Sequence, residues 1–155
     1  MIINKIIRES NGDVKEIPYL NNNKKVFLGG TCNNSNWRNE LIKYLKIDYF
    51  NPVVEDWTEE NQKEELRQRD ICDYLLYVIT PKMKGVYSIA ELIDDSNKHP
   101  KKTIFCYITK DEDEEFNKAQ IKSLEAVGNM VINNNASFVH SLKEVADIVN
   151  GDISE

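Results

Sequence analysis

Ser88 and Glu91 stand three residues apart in Gly85-Val86-Tyr87-Ser88-Ile89-Ala90-Glu91, where an apolar-periodic stretch begins. Serine followed by glutamate at that spacing is the pattern of a helix capping box, which would commit both side chains to free backbone amides and leave neither for chemistry. The competing use puts Glu91 in the first turn of a helix that opens beside the end of a strand. There the exposed amides and the helix dipole keep a carboxylate ionised and therefore nucleophilic. On spacing alone the cap is the simpler account. Gly29-Gly30-Thr31 lies between a strand-like run and a helical one, so its backbone can approach a ligand closely and its amides can face an anion or a sugar hydroxyl. It matches neither G-x-G-x-x-G nor G-x-x-x-x-G-K-S/T, which argues against dinucleotide and triphosphate sites, and two glycines also suit a plain turn. Arg38, next to Trp37, could reach a phosphate or carboxylate at that mouth, although a lone exposed arginine is more often only solvated. Asp73 precedes the apolar run at 74–80, where an acid either serves a ligand or merely punctuates the turn.

The elements that must hold these residues alternate along the chain. Apolar runs at 26–28, 49–53, 74–79, 103–108 and 130–132 read as strands, and helical patterns fall at 37–46, 58–69, 88–97, 114–126 and 142–149. Strand and helix taking turns imply a parallel sheet, because parallel strands need crossover connections. The expected fold is α/β, three-layer and flavodoxin-like or Rossmann-like, with about five parallel strands. Ligands of such sheets gather beyond the carboxyl ends of the strands, which directs attention to the loops 29–36, 55–58 and 80–87. Ahead of this series, residues 2–8 and 14–19 alternate on either side of Asn11-Gly12-Asp13, a strong hairpin signal. They read as an N-terminal extension over residues 1–24, with the main domain at 25–155. The acidic cluster 111–115 reads as a solvated loop leading into a helix.

Composition sets the outer bounds. With 155 residues, 41% of them hydrophobic and 30% charged, the chain suits one globular domain. Mean hydropathy is -0.54. No apolar run approaches the ~20 residues of a membrane helix, and Lys5 and Arg8 interrupt any leader-like core, so a cytoplasmic protein is expected. The net charge of -6 without a basic stripe argues against duplex nucleic acid as a partner. Cys32, Cys72 and Cys106 form no C-x-x-C pair and His99 lies far from His140, so neither a disulfide framework nor a metal site is expected. No cofactor is called for.

Four segments in order carry a family resemblance: V-F-L-G-G-T at 26–31, F-N-P-V-V-E-D-W at 50–57, C-D-Y-L-L-Y-V-I-T-P at 72–81 and G-V-Y-S-I-A-E at 85–91. Together they resemble the nucleoside 2-deoxyribosyltransferases, and more closely their phage and bacterial branch, clearly over 25–109 and onward to about 149. The resemblance implies cleavage of the N-glycosidic bond of a 2'-deoxynucleoside or deoxynucleotide and transfer of the sugar to a free nucleobase, or to water. A nucleotide-sensing module on the same fold is the alternative of a different class. Glu91 then matches the family's nucleophile, and Asp73 the acid that helps expel the base. Gly29, Gly30, Thr31, Trp37, Arg38 and Ser88 become substrate-binding candidates. Asp56 and Trp57 are candidates for the base pocket, where an aromatic face can stack and a carboxylate can accept from an exocyclic amine. Gly85 stands six residues before Glu91, where the family carries an Asp or Ser, and is a departure from the pattern. A homo-oligomer is implied, since members complete their sites with a neighbouring subunit.

Overall fold

The computed structural model describes residues 2–8, 14–20 and 24–152. Strands β1 (Ile2–Arg8) and β2 (Val14–Leu20) pair antiparallel, from Arg8 against Val14 to Ile2 against Leu20. The Asn11-Gly12-Asp13 turn expected between them lies outside the described residues.

The main sheet is all-parallel. It joins β3 (Lys25–Gly30), β4 (Asp48–Phe50), β5 (Tyr74–Ile79), β6 (Thr103–Tyr107) and β9 (Ser137–Val139) in the spatial order β4-β3-β5-β6-β9. Because successive strand side chains point to opposite faces, each central strand feeds two cores. Val26, Leu28, Leu76, Val78, Ile104 and Cys106 pack with Trp37 and Leu41 of α1 (Trp37–Ile42) and with Val145 and Val149 of α5 (Leu142–Val149). Phe27, Leu75, Tyr77, Ile79 and Phe105 face the other way, onto Leu92 of α3 (Tyr87–Lys98) and Leu124 and Val131 of α4 (Lys118–Asn133). The expected three-layer α/β fold is therefore present.

Several element boundaries differ from expectation, each for a visible reason. Helix α1 stops at Ile42 rather than 46, because the Asn150 side chain takes the Lys46 N–H (2.8 Å) and donates to the Tyr44 carbonyl (2.8 Å), terminating the helix from outside. Strand β4 ends at Phe50, two residues before Pro52, which has no N–H for a sheet ladder. The run 130–132, expected as a strand, belongs to α4: Val131 is buried while Met130 and Ile132 are half exposed, the pattern of one helical face. Gly128 allows this, since a Cβ there would lie 2.1 Å from the Phe138 ring of β9. The fifth strand is Ser137–Val139 instead. Residues 110–115 form a small hairpin, β7 (Lys110–Asp111) with β8 (Glu114–Glu115), and Asp111 is buried rather than solvated, accepting from Thr80 Oγ1 (2.7 Å) and from the Ser35 hydroxyl.

Helix α2 (Glu59–Ile71) is the exception to apolar packing. Only Gln68 is buried along it. What fastens α2 to the body is polar: Lys25 Nζ donates to Gln68 (3.3 Å), and Arg69 donates to Asp95 of α3. Among the described residues, no helix is long and apolar enough to cross a membrane.

Candidate active site

The sheet order reverses between β4-β3 on one side and β5 on the other, and at the carboxyl end of such a switch point the flanking loops part to leave a crevice. A cavity of about 370 Å³ occupies that place. Its floor is Phe27, Gly29 and Gly30 at the end of β3, its walls are residues 52–55 and Trp57 with Gln62, Glu65, Leu66 and Arg69 of α2, and Tyr87, Ser88 and Glu91 of α3 close the far side. Gly30 has φ +118°, and a Cβ there would lie 2.0 Å from the Val78 carbonyl, so no larger residue fits where the loop leaves the sheet.

Glu91 faces this cavity from the second turn of α3. The helix starts at Tyr87 with Val86 at its cap position, and no side chain caps it, so Ser88 and Glu91 do not form the capping box that their spacing suggests. Being one turn inside the helix also withdraws Glu91 from the free amides that would have kept it ionised. Its carboxyl is instead pushed up to about 7, first by burial and then by the like charge and hydrogen-bonding contact of Glu65. Arg69 opposes this, with Nη1 3.3 Å from Glu91 Oε2.

Arg69 is itself held elsewhere. Its Nε and Nη2 donate to the two carboxylate oxygens of Asp95, both at 3.0 Å, and the Tyr77 hydroxyl donates to Asp95 from beneath. Asp95 is 2% exposed and Tyr77 fully buried. Burial works against the Arg69 charge, but the bonds to Asp95 outweigh it and its pKa is raised. Burial likewise raises the Tyr77 phenol, which keeps it a hydrogen-bond donor.

A family model described as "nucleoside 2-deoxyribosyltransferase like" matches residues 23–110, more than half of the chain. The chain belongs to this family. No curated protein matches it at a significant level.

Within this nucleoside 2-deoxyribosyltransferase-like chain, the sequence-derived candidates divide. Glu91, Ser88, Gly29, Gly30, Arg38 and Trp57 border the cavity; Asp73, Thr31, Trp37, Asp56 and Gly85 do not. Asp73 is the main correction. It sits at the amino end of β5, where its carboxylate accepts the Lys25 N–H (2.9 Å) and its own N–H goes to the Lys25 carbonyl (2.9 Å). Six strand residues, roughly 20 Å at about 3.3 Å each, separate it from the carboxyl edge where the cavity lies. It anchors the start of the β3–β5 pairing at the edge of the sheet away from this cavity. Asp73→Asn is therefore expected to cost about 1 kcal/mol of stability and leave turnover unchanged; a denaturant melt beside a turnover assay checks both.

Thr31 and Trp37 turn inward. Thr31 Oγ1 accepts the Thr80 N–H (2.9 Å), and its carbonyl accepts both the Trp37 indole N–H (2.7 Å) and Arg38 Nη1 (2.7 Å). Arg38 reaches the cavity wall with its guanidinium spoken for: Nε donates to Leu28 (3.0 Å) and Nη2 to Gly30 (3.4 Å), and the group lies 4.4 Å from the Trp37 ring centre. The pair braces the glycine loop and does not wait for an anion. Asp56 is exposed and its carbonyl accepts from Asn61 (2.9 Å), as a turn residue would. Gly85 is exposed with open space around it.

Sequence reasoning missed Glu65, Arg69 and Asp95. The only trace of them is spacing: Glu65 and Arg69 are four apart on α2, as are Glu91 and Asp95 on α3, so each pair shares one helical face.

Proposed function

We propose that the protein cleaves the N-glycosidic bond of a 2'-deoxynucleoside and transfers the deoxyribosyl group to another base through a covalent ester on Glu91. The observation that carries this reading is the pair of carboxyls in contact, Glu91 of α3 with Glu65 of α2, both lining the cavity at the switch point. The proton that Glu91 keeps up to about pH 7 passes to the adjacent Glu65 as substrate binds, which frees Glu91 to attack and leaves Glu65 as the acid. In the first half-reaction a Glu91 oxygen bonds to the anomeric carbon as the carbon–nitrogen bond breaks. The bonding electrons leave with the base nitrogen, and the base takes the proton from Glu65. In the second, a nitrogen of the incoming base attacks the same carbon, the ester bond returns its electrons to Glu91, and Glu65 recovers a proton from the base. Glu65 thus takes the part that the resemblance alone assigned to Asp73. Trp57, 58% exposed at the cavity rim, offers a face on which the base stacks.

A second copy of the chain belongs to this reading. Val53, Val54, Trp57, Leu66 and Tyr87 border the cavity with large apolar surfaces in water, Tyr87 being 74% exposed. Such a rim is suited to cover by a neighbouring subunit. Light scattering of the intact and the hairpin-deleted chain reads the subunit count and any share of β1 and β2 in it.

The deciding experiment incubates a deoxynucleoside with a second free base. The swapped nucleoside, together with a deoxyribosyl mass increment on the peptide containing Glu91, is the expected result. Free deoxyribose without exchange would make the protein a hydrolase, and binding without turnover would make it a sensing module.

A further inference from the structure

Arg69 makes an unequal division of its hydrogen bonds. A guanidinium offers five donors and pairs best with a carboxylate through two parallel bonds. Its Nε and Nη2 side is given to Asp95 at 3.0 Å twice, with Asp94 Oδ2 at 3.6 Å from Nη2, while Glu91 receives Nη1 alone at 3.3 Å. Asp95 does not border the cavity, and the Tyr77 hydroxyl beneath it holds its carboxylate in place. We propose that Asp95 is a positioning residue for Glu91: by holding the paired edge of the Arg69 guanidinium, it limits the arginine to one contact with the Glu91 carboxyl. An arginine free to turn would form a full bidentate pair with Glu91, fixing its oxygens and neutralising the charge that must attack. With one nitrogen presented, the arginine orients Glu91 and leaves the other oxygen to the cavity.

The value of this arrangement rests on Glu91 being the attacking group, but its test does not. The groups facing Glu91 are Glu65 and Arg69 from α2, Asp95 from α3 and Tyr77 from β5. Asp94 adjoins Arg69, and Glu55, Cys32 and Arg38 share the cavity wall. Asp95 could act on Glu91 by its own field or through Arg69, and a double-variant cycle separates these. Carboxyl-carbon NMR of the glutamate-labelled chain follows the Glu91 titration in the wild type, Asp95→Asn, Arg69→Gln and the double variant. Asp95→Asn is expected to lower the Glu91 midpoint by about one pH unit or more, as the released arginine pairs with it. In the Arg69→Gln background the same change is expected to lose most of that effect. An equal shift in both backgrounds, or none in either, overturns the proposal.

Should the charge variants fail to fold, the wild type still decides. Nitrogen NMR of Arg69 is expected to show its Nη signals resolved, with slow rotation, both below and above pH 7, because Asp95 holds the group whatever the state of Glu91. Signals that merge when Glu91 is protonated would mean that Glu91 holds the arginine, which also overturns it. The base-exchange assay on the intact protein is independent of every one of these outcomes.

Discussion

Glu91→Gln is expected to abolish sugar transfer, lowering kcat/KM by about 10⁴-fold or more, with no ester formed. In the proposed mechanism the side chain supplies the bond to the anomeric carbon, and losing a nucleophile that acts together with its partner groups removes nearly all of their joint effect. Glutamine preserves the shape and the hydrogen-bonding reach but cannot form the ester. Stability separates this outcome from unfolding, and its sign follows from the position of the Glu91 titration. The carboxyl has an ordinary value of 4.5 and a folded value of about 7, so between those pH values the folded chain holds a proton that the unfolded chain has released. That contribution is complete below pH 4.5 and is lost as pH rises through 7. Glu91→Gln removes the fall. The variant is expected to have a flatter Tm profile between pH 5 and 8 than the wild type while remaining inactive, and thermal melts across that range beside the exchange assay measure both. A variant that retains transfer removes Glu91 from the chemistry altogether.

Glu65→Gln is expected to act twice. If Glu65 delivers the proton to the departing base as proposed, its loss should slow turnover by about 10²- to 10⁴-fold. As the like charge beside Glu91, its loss should also change the pH–rate profile. The wild type needs the one proton that Glu91 carries and passes to Glu65, so its activity should fall as pH rises through about 7. The variant has no such acid and needs only ionised Glu91; burial is the larger cause of the Glu91 displacement and Glu65 the next, so its residual activity should instead rise with pH, with a midpoint below 7 and above the ordinary 4.5. Rates of the variant and wild type across pH 4 to 9 test this. A slower enzyme whose activity still falls through 7 would mean that the proton reaches the base without Glu65, and an unchanged profile at full rate would take the acid role from Glu65. Substrates with good leaving groups give a sharper check, since a base that departs without a proton should lose far less on Glu65→Gln.

The two residues differ in how far their placement could be read in advance. Glu91 stood out through the resemblance carried by the segments 26–31, 50–57, 72–81 and 85–91; local pattern ordered the strand, loop and helix at 74–91 but by itself favoured a helix cap. The five-strand parallel fold was legible from local pattern itself: apolar runs and helical periods alternate, and crossover connections leave few arrangements. Position within that order is harder. Asp73 and Glu91 both adjoin β5, but one precedes the strand and the other follows it, and the strand's own length carries them to opposite edges of the sheet. The apolar run 130–132 shows a second limit. Three residues do not distinguish a strand from a buried helical turn; here they end a helix that runs from Lys118 to Asn133 behind an Asn117–Gln120 capping box, with Gly128 leaving room for the Phe138 ring. Glu65, Arg69 and Asp95 show the third. In the sequence α2 is a charged stretch like any solvated helix face, and nothing local says that its Arg69 is received by a buried aspartate 26 residues later. Local propensities act within a few residues, so they fix which elements form and in what sequence. The raised titration of Glu91, the like charge of Glu65 beside it and the Arg69 contact come from groups brought together by burial across separate helices, where low dielectric makes charges act strongly on one another.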